Sequence, residues 1–283
     1  MPPGRREPGV TKVAAFAAAG ALASAAAAAQ GLYVEGGASL ARGNYVYTQA
    51  TNSGGAAIGF AWTGGSLTLR ATLPYFVRDT RLLAEQGAAP ADDVAPTSDG
   101  STLEGSVSDP VLQAGLLVRR TARSAVGLSL SVKVPVVQAG AFGTGEWDVG
   151  AGLSLSRFVG GSTMLGVDAT WWHMGDLPEL PLRDSVMGTL CVGRSLGRSW
   201  LASVSLSGGR STLAGYPDPW WASALVSRTF AQGILGVTAS VGLTDSAADV
   251  TLGVVWRLRV GGRPAGAGGS ARVPTGSSRP PAP

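Results

Sequence analysis

The chain has 283 residues, of which 42 are glycine and only 14% are charged, against roughly 25% in soluble domains. Its one cysteine, Cys191, excludes an intramolecular disulfide. The formal charge of +4 comes from arginines and a lysine near the two ends of the chain, so it does not indicate nucleic-acid binding.

The N terminus has the pattern of a secretory signal. Arg5, Arg6 and Lys12 precede an apolar stretch, and small residues around Ala27 form a cleavage-site pattern. We therefore predict a signal peptide at residues 1–29. Beyond it, no apolar run approaches the ~20 residues that a membrane helix needs.

Residues 44–260 contain about twelve segments in which apolar residues alternate with small or polar ones. In the segment after Arg123, Val126, Leu128 and Leu130 share one face, and Ser129 and Ser131 share the other. This period of two predicts β-strands with two different faces. Residues 30–43 predict a lead-in to this region, with an edge strand as the open alternative. Residues 261–283 lack apolar content and predict a disordered tail.

The connections between these segments alternate in length. Tight turns near Gly64, Arg120, Gly160, Gly197 and Gln232 alternate with longer loops, the longest at residues 78–107 before a strand at 108–119. Outer-membrane barrels have short periplasmic turns and longer outer loops, whereas a secreted β-sandwich has no reason to alternate. The predicted fold is therefore all-β, a transmembrane antiparallel up-and-down barrel of about 12 strands.

The polar faces of the predicted strands supply candidates for the barrel interior. In a barrel of this size charged side chains can be hydrated or paired across the lumen. They either line a path and tune its selectivity or fill a closed barrel as a salt-bridge network. The candidates are Arg70, Asp109, Gln113, Lys133, Glu146, Asp148, Asp168 and Arg257.

Aromatic residues mark the ends of the predicted strands, as the two interfacial belts of a membrane barrel require. The residues expected near the long loops are Tyr75, Trp147, Trp171, Trp220 and Trp221, and those near the short turns are Phe158, Trp200, Phe230 and Trp256.

The sequence offers little for catalysis. His173 is the only histidine, so a metal site built on a histidine cluster is excluded. A lipid hydrolase would need a nucleophile beside His173, but Ser185 on the adjacent strand projects inward. We predict no catalytic residue, metal or cofactor.

Several short motifs resemble a known family. Lys133-Val-Pro135 followed by F-G-T-G-E-W-D-V-G at 142–150 resembles the core of the outer-membrane transporters of the MetA pathway of phenol degradation. Further matches are L-P-Y at 73–75, V-S-D-P at 107–110 and W-W-H-M-G-D at 171–176. Val136-Val137 replaces the family's Thr-Gly. The resemblance implies a channel or carrier for small hydrophobic or aromatic compounds.

Together these patterns predict a non-catalytic channel or carrier in the bacterial outer membrane. Its expected partners are outer-membrane lipids, the barrel-assembly machinery and a small-molecule solute. The assembly signal would be the segment from Thr251 to Leu258, although the tail follows it. The alternatives are a closed structural barrel whose loops bind a partner, and an outer-membrane lipid-modifying enzyme.

Overall fold

The computed structural model describes residues 30–43, 51–79, 103–137, 145–175 and 182–261. These residues form thirteen strands: β1 Gly31–Gly43, β2 Thr51–Gly64, β3 Leu67–Asp79, β4 Leu103–Val107, β5 Val111–Arg120, β6 Ser124–Lys133, β7 Asp148–Val159, β8 Thr163–His173, β9 Ser185–Leu196, β10 Trp200–Gly209, β11 Trp220–Phe230, β12 Gly233–Gly242 and β13 Val250–Gly261.

The strands form one closed antiparallel sheet. Apart from β4 and β5, consecutive strands pair with each other, and β1 also pairs with β13 to close the sheet. Strands β4 and β5 both pair with β3 and occupy one position in the sheet. The result is the predicted up-and-down barrel of twelve strand positions.

The outer face of the barrel is a band of exposed apolar side chains. Leu130, Val204 and Leu252 are 64%, 60% and 59% exposed. They alternate with inward glycine, serine and threonine, as the period of two requires. An apolar surface of this extent is stable when it faces lipid. Among the described residues, no helix has the length and apolar character to cross a membrane.

Glycine permits three of the tight turns. Gly65, Gly160, Gly161 and Gly197 have φ between 61° and 84°, a region that other residues adopt at a steric cost. These turns lie at the same end of the barrel as Gly31, where the first strand begins, and Gly261, where the last strand ends. We call this the short-turn end and the opposite one the long-loop end.

One predicted strand is interrupted. Instead of a single strand at 108–119 after a loop, β4 and β5 are separated by Ser108, Asp109 and Pro110. On β3 only Leu73 and Pro74 lie opposite these three residues, so the chain makes a β-bulge. The two prolines have no N–H, and the ladder cannot continue through them.

The expected lead-in at residues 30–43 is instead strand β1, so the barrel begins there and not at residue 44. Its apolar residues Leu32 and Leu40 lie outward, and β1 pairs along its whole length with β2 and β13. Gly36 and Gly37 interrupt the alternation of apolar and polar residues, so the sequence pattern did not predict this strand. The predicted signal peptide, the tail beyond Gly261 and residues 44–50, at the start of the predicted barrel region, lie outside the described residues.

Candidate functional site

The interior of the barrel is the candidate site, and two ionic clusters are built into its wall. The first lies at the long-loop end, where β6 ends and β7 begins. Lys133 Nζ lies 2.7 Å from the Asp148 carboxylate and 3.7 Å from that of Asp109. Asp109 and Asp148 are only 1% and 4% exposed. We call these three residues the Asp109 cluster.

Backbone groups complete the Asp109 cluster. The Asp109 carboxylate accepts hydrogen bonds from the N–H groups of Val136 at 3.1 Å and Val137 at 2.9 Å. The Asp148 carboxylate accepts one from Gly175 at 3.0 Å. Buried carboxylates are stable when they are paired and hydrogen-bonded in this way. The cluster therefore links the chain that leaves β6 to the interrupted strand, and the chain that leaves β8 to the start of β7.

All the motifs that carry the family resemblance meet at this cluster. The V-S-D-P motif supplies Asp109, the K-V-P motif supplies Lys133, and the G-T-G-E-W-D-V-G motif supplies Asp148. The L-P-Y motif contributes the Pro74 carbonyl, which accepts a hydrogen bond from Ser108 N–H at 2.9 Å. The W-W-H-M-G-D motif contributes Gly175. Segments scattered over about a hundred residues thus build one structural unit.

The second cluster joins β1, β3, β5 and β13. Glu35 forms ion pairs with Arg70 and, at 3.7 Å, with Arg257. Arg70 donates a hydrogen bond to the Gln113 side chain at 3.0 Å, and Gln113 donates to Ser131 at 3.3 Å. We call Glu35, Arg70, Gln113 and Arg257 the Glu35 cluster. Since Ser131 and Lys133 share one face of β6, the two clusters form a continuous polar wall, the ionic wall.

The Glu35 cluster reaches the short-turn end through an aromatic contact. The Arg257 guanidinium lies 4.0 Å from the ring centroid of Tyr33, and that of Arg259 lies 5.8 Å away. Arg257 is 6% exposed. The guanidinium of Arg257 is therefore buried between the Tyr33 ring and the Glu35 carboxylate.

The opposite side of the interior carries small side chains. Ser205 lies opposite both Cys191 and Ser223, and Ser223 lies opposite Ser240. Thr189 and Ser207 are hydrogen-bonded through their hydroxyl groups at 3.0 Å. We call these six residues of β9–β12 the hydroxyl wall. Larger inward side chains, Met187 and Trp221 toward the loops and Leu201 and Leu225 toward the turns, flank this patch.

Asp168 is a charged side chain beside the hydroxyl wall. It lies on the inner face of β8, opposite Ser154 and Thr189. It forms no ion pair with any described residue. A partly buried carboxylate without a cation is tolerated when it is hydrated or protonated.

Of the eight residues predicted to line the interior, six fall into two clusters and two lie outside them. Six lie in the two ionic clusters, Asp168 lies apart, and Glu146 precedes β7 on the face of Asp148. Sequence reasoning missed Glu35, the residue that joins Arg70 to Arg257. The alternation of Tyr33, Glu35, Gly37 and Ser39 was the signal that could have revealed it.

Aromatic side chains form the expected outward belts with two exceptions, Trp221 and Phe158. Phe158 lies opposite the buried Met164 of β8 and therefore belongs to the inner face. Trp147, Trp171 and Trp220 are 42–55% exposed at the long-loop end, and Trp200 and Phe230 are 45% and 47% exposed at the other. Trp221 is 7% exposed and faces inward, because its neighbour Trp220 takes the outward position. Phe60 and Trp62 add to the short-turn belt.

His173 has a partner that the sequence did not predict. Its Nδ1 lies 2.9 Å from the Asp184 carboxylate, and its ring stacks on Trp171 with centroids 6.3 Å apart. Both members of the pair are exposed. Ser185 is 4% exposed and its hydroxyl donates to the Arg210 carbonyl, so it is directed away from His173. Within the described ranges, no cluster of three or more His, Cys, Asp or Glu residues could hold a metal.

Comparison with known proteins rests on structure alone. The sequence matches no protein-family model and no curated protein. An outer membrane channel from Pseudomonas putida F1 superposes with a TM-score of 0.60 at 14% identity, covering 81% of this chain and 95% of that one. The barrel is an outer-membrane barrel. Its closed sheet, lipid-facing band and loop asymmetry are those of bacterial outer-membrane proteins, which gives its location.

Two further solved structures are less similar. The P. putida toluene transporter TodX gives a TM-score of 0.47 at 10% identity, covering 81% of this chain and 90% of that one. Outer membrane phospholipase A from Escherichia coli gives 0.42 at 14% identity, covering 83% and 92%. Likenesses of this size support neither transport nor hydrolysis for the present barrel.

Proposed function

We propose that this barrel is a passive outer-membrane channel or carrier for small hydrophobic or aromatic molecules and that it acts without catalysis. The hydroxyl wall carries the proposal. Eight-stranded barrels are filled by their own side chains, whereas barrels of sixteen strands enclose a channel. At twelve strands, the size of the inward side chains determines whether the barrel is filled or encloses a channel. Here the hydroxyl wall consists of serine, threonine and cysteine.

The ionic wall supports the same function. Its charges are neutralised in place by Glu35, Asp109 and Asp148 and are largely buried. A solute that moves along the hydroxyl wall therefore meets hydroxyl groups and the carboxylate of Asp168, with the flanking side chains of Met187, Trp221, Leu201 and Leu225 above and below. The solute class rests on the resemblance to the MetA-pathway transporters, whose motifs build the Asp109 cluster.

A matched pair of substitutions tests the proposal. Ser205→Trp places a large ring on the inner face, and Leu206→Trp places the same ring in the lipid band. In swelling liposomes the unaltered protein should admit a small sugar or a water-soluble aromatic alcohol. We expect Ser205→Trp to lower the rate severalfold and Leu206→Trp to leave it unchanged. Impermeability of the unaltered barrel to both solutes would refute the proposal.

The continuous network of the Glu35 cluster favours one alternative, a closed structural barrel whose loops bind a partner. That alternative predicts no permeation by any solute and no effect of Ser205→Trp. Its loop at residues 80–102 lies outside the described residues. Deleting that loop while measuring permeation separates the two functions, since a channel should continue to conduct.

A further inference from the structure

The outer face of the barrel carries a row of four arginines at the short-turn end. Arg157, Arg194 and Arg228 each lie two residues before the end of β7, β9 and β11, and Arg119 lies one residue before the end of β5. They therefore occupy alternate strands at nearly one height. We call these four residues the arginine row.

Strand pairing fixes the direction of these side chains. Arg157 lies opposite Leu165, Arg194 opposite Ala202, and Arg228 opposite Leu235. Leu165 and Leu235 belong to the lipid-facing band, being 43% and 49% exposed. Directly opposite residues of an antiparallel pair share a face, so the arginines face lipid as well. The β5 bulge places Arg119 opposite Val126 on the same outer face.

The row has apolar side chains on both sides. Two residues nearer the turns, Val159, Leu196 and Phe230 are 47%, 52% and 47% exposed. The guanidinium of Arg228 lies 5.4 Å from the ring centroid of Trp200 and 5.0 Å from that of Phe230. Stacking on a ring leaves the in-plane N–H donors of an arginine available for a planar oxyanion. The arginines thus sit at the interface level of the bilayer.

Among the residues that the structure describes, no acidic side chain pairs with this row. Strands β5–β12 contain two acidic residues, Asp148 and Asp168, and both face inward. None of the four arginines forms an ion pair with a described residue. A cationic side chain on the lipid face costs energy that falls toward the interface. A lipid phosphate at that depth would offset the cost through charge-assisted hydrogen bonds.

The opposite flank of the same rim differs. There the outward residues near the short turns are apolar, including Leu32, Trp62 and Leu69. The charge is therefore confined to one flank and is not a general feature of the rim. Neighbouring arginines lie two strands apart, roughly 10 Å at a strand spacing of about 4.8 Å, far enough for each to contact a separate head group.

We propose that the arginine row is a binding site for the phosphate groups of anionic phospholipids in the inner leaflet of the outer membrane. The short-turn end of such barrels is periplasmic, which places the row in the phospholipid leaflet. The inference is independent of what passes through the barrel.

Native mass spectrometry of the barrel released from mixed micelles of phosphatidylglycerol and phosphatidylethanolamine tests this. The unaltered protein should retain phosphatidylglycerol preferentially. Arg157→Gln with Arg194→Gln should lower the retention ratio about fivefold per arginine, the factor for about 1 kcal/mol per basic residue near anionic lipid. Excess inorganic phosphate should not displace the lipid.

The matched control replaces Arg123 and Arg198, which lie in the short turns beyond the strands, with glutamine. This variant removes the same charge and should keep the preference. An equal loss in both variants, displacement by free phosphate, or no preference in the unaltered protein would each overturn the proposal. Heat-modifiable mobility in gel electrophoresis reports whether each variant is folded. If the double variant fails to fold, Arg194→Gln alone serves as a second variant.

Discussion

The two walls of the barrel interior differ although the same strand pattern builds both. On the ionic wall, inward positions carry Glu35, Arg70 and Lys133, whose charges are paired with side chains of other strands. On the hydroxyl wall, the equivalent positions carry serine, threonine and cysteine, and the nearby Asp168 pairs with no cation of the described residues. The period of two sets which side chains point inward, but the identity of those side chains decides whether a wall is held together by charge.

This difference separates two roles within one barrel. The ionic wall includes the interrupted strand β4–β5, where the ladder is broken and other contacts have to hold the sheet. The hydroxyl wall has continuous ladders from β9 to β12 and needs no such support. The Asp109 cluster therefore lies where the backbone pairing is interrupted, and small side chains lie where the ladders are continuous.

The largest expected effect comes from removing the cation of the Asp109 cluster. Lys133→Met removes the shared cation of two buried carboxylates, Asp109 and Asp148. We expect a loss of about 3–5 kcal/mol in the free energy of unfolding, measured by urea titration of tryptophan fluorescence in micelles. Adding Asp109→Asn and Asp148→Asn should recover much of it. A loss below about 1 kcal/mol would mean that the cluster is hydrated and does not hold the wall.

A smaller loss is expected from the Glu35 cluster. Glu35→Gln keeps the shape of the side chain but leaves Arg70 and Arg257 without their shared anion. The side chains are 7–15% exposed, so we expect about 1–3 kcal/mol in the same titration. Ser39→Ala, on the same strand and face, serves as the control and should be nearly neutral. Equal stability of both variants would contradict the assigned role of Glu35.

The twelve-stranded fold could be predicted because period and turn length are local signals. The interior was predicted less completely. Arg70, Lys133 and Asp148 stood out as charges in alternating segments, but Glu35 lay in a segment whose glycines obscured the period. The pairing of Lys133 with both acids follows from strand register and from the bulge at Asp109, and neither is visible in a single strand.

Like Glu35, the arginine row has a signal in the sequence that was not recognised. The segments S-R-F-V, G-R-S-L and S-R-T-F at the ends of β7, β9 and β11 repeat one pattern. That pattern has meaning only when the three turns are known to share an end of the barrel. Alternation in the sequence shows on which face of its strand a side chain lies. Only the closed sheet shows which side chains of other strands lie beside it.

The smallest effect on stability is expected at Asp168, and it distinguishes the two walls most directly. Asp168→Asn removes a charge that has no cationic partner among the described residues, so the free energy of unfolding should change by no more than about 0.5 kcal/mol. In planar bilayers the same variant should show a weaker preference for cations over anions, because a carboxylate beside the path attracts cations. Thr170→Val, two residues away on the same inner face, changes polarity without charge and should leave ion preference unaltered.

If Asp168→Asn instead alters stability as much as Glu35→Gln does, the carboxylate is bound within a packed interior. The hydroxyl wall would then be closed, and the difference between the walls would be one of packing rather than of access.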